Sequence, residues 1–135
     1  MSSPPPAADR AAGLCLSAAF WLPLAVCTWL ALTPSPPESV FRVGDVILHA
    51  LAFAYLTTAL GLAHRRLRWW ALAGWMLAYG AAIELAQSFE PARSPELKDL
   101  AVDGLGIAAG LVVLAVAGDW ARRTAARLLS LVVRG

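Results

Sequence analysis

Apolar residues in this chain come in long unbroken runs rather than in the one-sided stripe of a soluble helix. From Gly13 to Pro34 there is no Asp, Glu, Lys, Arg or His, and Leu67 to Ile83 carries only Arg68. Such runs predict helices that cross a membrane, because a helix in a water-soluble bundle keeps a polar face. The pattern places four spans at about 13–32, 46–62, 71–89 and 97–117. Trp21 and Pro23 fall in the first, where a proline bends a helix but is tolerated in lipid. Residues 1–12 are rich in Ser, Pro and Ala and are expected to be a disordered start. Thr33 to Gly44 is a Pro-rich connector, and Asp45 is placed to cap the second span. The basic cluster His64-Arg65-Arg66-Leu67-Arg68 follows that span, with Trp69 and Trp70 as interface residues beyond it. A polar loop with Pro91 and Pro95 joins the third and fourth. From Gly118 to Gly135 the pattern changes: Arg123, Arg127 and Arg134 share one helical side, roughly opposite Ala121, Ala125, Leu128 and Val132. That predicts a separate amphipathic helix lying on an anionic membrane surface.

Composition agrees with this reading. The 135 residues give one domain, 59% hydrophobic and 15% charged, with a mean hydropathy of +0.64. A soluble protein averages roughly 25% charged. A net charge of +2 and a pI near 8.8 do not indicate a nucleic-acid partner, since the arginines sit at segment ends rather than along a stripe. They read as topology signals. Arg10, the 65–68 loop and Arg122-Arg123-Arg127 alternate with two loops low in net positive charge, so the positive-inside rule puts both termini in the cytoplasm. A cleaved leader is not expected: the start carries one Arg, and Thr33-Pro34-Ser35-Pro36-Pro37 is a poor cleavage site. Cys15 and Cys27, twelve residues apart in the first span, point in different directions and read as small hydrophobes.

The fold class expected is therefore an all-α membrane protein, a four-helix transmembrane bundle followed by a C-terminal amphipathic helix. In it, several ionisable groups lie inside the apolar boundaries, where a charge is expensive. His49 is about one turn into the second span, Glu84 roughly two turns before the end of the third, and Asp99 and Asp103 occupy the first two turns of the fourth. At about 1.5 Å per residue, all lie within roughly 10 Å of the extracytoplasmic surface. Asp45 and His49 share a helix face, as do Asp99 and Asp103, and Glu84 and Gln87. Arg93 hangs in the loop above as a counter-charge. The binding set is Asp45, His49, Glu84, Gln87, Arg93, Asp99 and Asp103, with His49, Glu84 and Asp99 the candidates for proton transfer. His49, Glu84, Asp99 and Asp103 suit a metal by residue type, but neither metal nor cofactor is expected. Gly106 and Gly110 form a small-xxx-small pair that lets another backbone approach closely, within the chain or from a second copy.

These residues, in this order, resemble the VanZ-like family of small bacterial membrane proteins. The matching positions are Asp45 and His49 within Gly44 to Phe53, Glu84 and Gln87, Pro91, Arg93-Ser94, Asp99, and Gly106 and Gly110. Leu32-Thr33-Pro34 is similar to the family's opening, and the likeness covers roughly residues 30–114. Asp103 departs from the pattern, standing where the family commonly has Asn. An amide donates and accepts hydrogen bonds whereas an ionised carboxylate only accepts, so Asp103 is protonated or the charge balance differs here. The resemblance implies a multi-pass protein of a bacterial cytoplasmic membrane. The family's founding member is associated with low-level resistance to teicoplanin, without an established biochemical activity, so the likeness implies a fold and a place but no reaction.

Two functional classes follow. In the first, the chain binds or chemically alters an envelope lipid, a lipid-linked precursor or another amphiphile near the outer leaflet. Arg93 would meet a phosphate, and Glu84 or His49 would move a proton. No Ser or Cys nucleophile motif and no HExxH pattern is present. In the second, the chain is a non-catalytic scaffold or partner subunit whose polar cluster only locks the helices together. Transport ranks third, because four spans with no inverted repeat offer little for alternating access.

Overall fold

The computed structural model describes residues 6–34, 45–89 and 97–134. The described residues form four helices: α1 (Pro6–Leu32), α2 (Asp45–Ala63), α3 (Trp69–Gln87) and α4 (Leu97–Arg134). Among the described residues, three helices are long and apolar enough to cross a membrane, over Arg10–Leu32, Val46–Ala63 and Lys98–Leu128. The third helix matches α2 in length at 19 residues, but Trp69, Trp70, Trp75, Glu84 and Gln87 make it less apolar. Large hydrophobics stand exposed on all four helices, among them Leu14, Leu51, Trp75, Leu85, Leu105 and Val116. In water such a surface would be an aggregation liability; in lipid it is the outer coat of the bundle.

Two ends differ from the expected boundaries. Helix α1 starts at Pro6 rather than after a disordered 1–12 segment, and Ala12 is already buried. Proline is well placed in a first helical turn, and the Ala-rich residues after it are strong helix formers. At the other end, α4 runs unbroken through Ala117 to Arg134, where a separate helix from Gly118 was expected. The reason is its buried stripe, Asp99, Asp103, Gly106, Ile107, Gly110 and then Gly118, which keeps one helical period across the supposed boundary.

The chain reverses between α2 and α3 through a tight turn in which the Leu67 N–H reaches the His64 carbonyl at 3.1 Å. Helices α1 and α3 run parallel: Thr28 meets Tyr79 at 2.9 Å, and Gln87 meets the Ala31 carbonyl at 2.9 Å. The more extensive contact is between α2 and α4, also parallel. A Cβ on Gly106 would stand 2.5 Å from the Ala50 carbonyl oxygen, and one on Gly110 would stand 2.8 Å from Thr57 Cβ. Further along the roles swap, and Leu114 of α4 fills the space over Gly61 of α2. The close approach that Gly106 and Gly110 permit is thus to α2 of the same chain. Thr58 Oγ1 donates across the seam to the Gly110 carbonyl at 3.3 Å. Beside the seam lies the apolar core of Phe20, Phe53, Leu56, Ala59, Leu60, Leu72, Met76 and Ile107.

One polar contact repairs the backbone. Pro23 lies inside α1 and has no N–H, which leaves the carbonyl four residues earlier, that of Ala19, without its helical donor. The Tyr55 hydroxyl of α2 donates to that oxygen at 2.7 Å.

Candidate functional site

The parallel arrangement of α2 and α4 brings their first turns side by side. His49 Nδ1 lies 2.9 Å from Asp103 Oδ1. Asp103 is 1% exposed, whereas the His49 side chain remains 24% exposed. With Asp103 as a carboxylate, which only accepts, the Nδ1–H of His49 is the donor, and the second ring nitrogen is then the basic one. That arrangement also accounts for an acid at a position where an amide would suit a neutral partner. The second oxygen of Asp103 faces α3: a Cβ on Gly80 would come within 2.7 Å of Oδ2. A glycine in α3 is therefore what admits a carboxylate here. Phe53 closes the same spot, since its ring lies 3.2 Å from that Cβ position.

The other predicted residues gather with less uniformity. Asp99 is one turn before Asp103 on the same stripe, at 9% exposure. Glu84 is one turn after Gly80 on the row Leu72, Met76, Gly80 and is half-buried. Both carboxylates engage other groups of the protein. Gln87 is buried but is turned elsewhere: its side-chain amide donates to the Ala31 carbonyl in the last turn of α1. It ties α3 to α1 and satisfies one of the carbonyls that a helix C-terminus leaves over. The side chain of Asp45 and the whole of Arg93, Pro91 and Ser94 lie outside the described residues. Among the described residues, no three His, Cys, Asp or Glu side chains converge in a way that would hold a metal ion.

Two features escaped the sequence. Tyr79 hydrogen-bonds Thr28 and packs its ring on Phe53 at 5.8 Å between centroids, so it links α1 to the wall of the Asp103 niche. A tyrosine beside Gly80 in an otherwise apolar run was the available signal, because a buried hydroxyl needs a partner. At the far end of the bundle Arg122 donates to the Gly61 carbonyl. That oxygen belongs to the last turn of α2, where intrahelical donors have run out. The molecule thus has one end bearing His49, Glu84, Asp99, Asp103 and Gln87 and an opposite end bearing Arg65, Arg66, Arg68 and Arg122.

The model of the VanZ/LLP1 family matches residues 20–118, most of the chain, and the chain belongs to that family. It is a membrane protein with several apolar helices, as the run pattern and the exposed apolar coat require. Neither a curated protein nor a solved structure matches it.

Proposed function

We propose that this VanZ/LLP1 protein crosses a bacterial cytoplasmic membrane four times, with α3 as the fourth crossing and both termini inside. A polar site near the outer leaflet then binds or chemically alters an envelope lipid or another amphiphile. Helix α3, at 19 residues, is about 28 Å long, close to the roughly 30 Å of a hydrocarbon core. Its outward Trp75, Leu77 and Leu85 suit lipid. The basic residues at one end set the orientation.

The observation that carries the reading is the His49–Asp103 pair. Each side chain is costly to place in an apolar span. Asp103 orients the imidazole by accepting from its Nδ1–H, as a carboxylate does for a catalytic or ligating histidine. The partly exposed ring then faces whatever enters from the membrane surface. Asp99 and Glu84 flank it and would add acid–base or hydrogen-bonding groups to a headgroup.

The alternative is a scaffold in which the pair only fixes helix register, a reading favoured by the tight fit of Asp103 against Gly80. Two substitutions separate them, His49→Gln and Glu84→Gln, each examined for amphiphiles that co-purify with the protein by native mass spectrometry. The site reading expects an amphiphile retained by the unsubstituted protein and lost in both variants, with thermal midpoints nearly unchanged. An identical set of bound lipids in all three, with lowered midpoints in the variants, would leave only the scaffold.

A further inference from the structure

The opposite end of the bundle carries a second arrangement that the His49–Asp103 pair does not use. A groove of about 510 Å³ lies between α1 and α3, within the roughly 300–1,000 Å³ typical of small-molecule sites. Phe20, Trp21 and Leu24 form one wall and Trp75, Met76 and Tyr79 the other. It reaches His64 and Leu67 at the α2–α3 turn, about 20 Å along α2 from His49. At hydrocarbon depth so apolar a channel takes hydrocarbon, and the charges at its mouth decide which kind.

Those charges are all of one sign around the turn. Arg65, Arg66 and Arg68 are exposed, and no Asp or Glu occurs from Val46 to Ile83. Arg68 is held over the Trp70 ring at 5.9 Å. From α4, Arg122 reaches the same corner: it bonds the Gly61 carbonyl, and Arg65 and Asp119 are the charges that act on it. Its buried Nε donates to no described group. Guanidinium groups gathered in this way, with Asp119 the acid that acts on Arg122, make a corner that attracts an anion, and guanidinium matches phosphate with paired N–H donors.

We propose that this end binds an anionic glycerophospholipid, its phosphate on Arg65, Arg66 and Arg122 and one acyl chain laid in the groove between α1 and α3. Net negative charge is the selective feature, because a zwitterionic lipid brings its own cation into the arginine corner. The site lies on the side of the basic turn and is independent of the proposed activity at the other end.

The test is reconstitution of the full chain in phosphatidylcholine vesicles. They contain a small fixed fraction of either phosphatidylglycerol or phosphatidylcholine with brominated acyl chains, which quench tryptophan on contact. Brominated phosphatidylglycerol should quench more strongly than brominated phosphatidylcholine at the same fraction. That excess should disappear when both groove tryptophans are replaced, Trp21→Phe with Trp75→Phe, which keeps the groove walls apolar. Arg65→Gln and Arg66→Gln should each reduce the preference by about fivefold, with circular dichroism unchanged. Equal quenching by the two lipids would overturn the proposal. So would an excess that survives the double replacement of Trp21 and Trp75, since the lipid would then sit on the surface and not in the groove.

Discussion

The seam between α2 and α4 has a polar contact at each end, and the two are of different kinds. At one end Arg122 meets the Gly61 carbonyl. Helix α2 stops at Ala63, so that oxygen needs a donor whatever the protein does. At the other end His49 meets Asp103. Both groups are side chains, and both desolvation costs would vanish if the residues were apolar. A contact that completes a backbone is explained by architecture. A buried pair of ionisable side chains is weak evidence for stability, and the proposed function rests on this pair for that reason.

The sharpest way to break that contrast is to remove one partner and then both. Asp103→Ala should cost about 3–5 kcal/mol of unfolding free energy, toward the lower figure because His49 is partly exposed. Replacing both, as His49→Leu with Asp103→Leu, should recover most of it, because Leu has nearly the shape of the carboxylate against Gly80. Equilibrium unfolding in a fixed mixed micelle measures each. If the double variant stays as unstable as the single one, the pair is part of the architecture and the contrast fails. Arg122→Ala should cost about 1.5–3 kcal/mol, with no second substitution able to rescue it, since the Gly61 carbonyl cannot be removed. A rescue from any side chain would show that the carbonyl had found another donor.

Much of this could be read from the sequence, for a physical reason. Uncharged runs of this length admit few interpretations, and buried ionisable groups at one depth must seek one another, so His49 and Asp103 were expected at one end of one bundle. What stayed hidden depends on register between helices. Gln87 shares a face with Glu84 by spacing, yet the pairing of Thr28 with Tyr79 sets α3 against α1 so that Gln87 meets Ala31 instead. The tail was read from its arginines as a surface helix. Gly118 is buried and Arg122, one turn further on, turns to the Gly61 carbonyl of α2, which only the partner helix reveals.

Between the two ends the seam itself is open to test. Gly106→Ala should cost about 1–3 kcal/mol, because the new methyl meets the Ala50 backbone carbonyl, which cannot rotate away. The same change at Gly74, where no neighbouring atom lies within 4 Å, should be neutral or stabilising by up to about 1 kcal/mol, since alanine is the better helix former. Equal losses at both positions, compared by thermal unfolding, would mean that helix propensity in this setting outweighs interhelical fit.

The smallest effect isolates what a backbone repair contributes. Tyr55 donates to the Ala19 carbonyl that Pro23 leaves without a helical partner, so it resembles Arg122 in role while lying partway along the helices. Tyr55→Phe should cost about 0.5–1.5 kcal/mol. In a Pro23→Ala background the restored N–H of residue 23 takes over the carbonyl, and the same Tyr55 substitution should then cost close to nothing. The coupling between the two positions, read from a double-mutant cycle, is therefore expected to equal nearly the whole hydrogen-bond contribution. No such cycle can silence the loss at Arg122, because the helix that would supply the Gly61 donor ends at Ala63. If Tyr55→Phe costs the same in both backgrounds, the hydroxyl acts through packing and not through the repair, and it no longer belongs with Arg122.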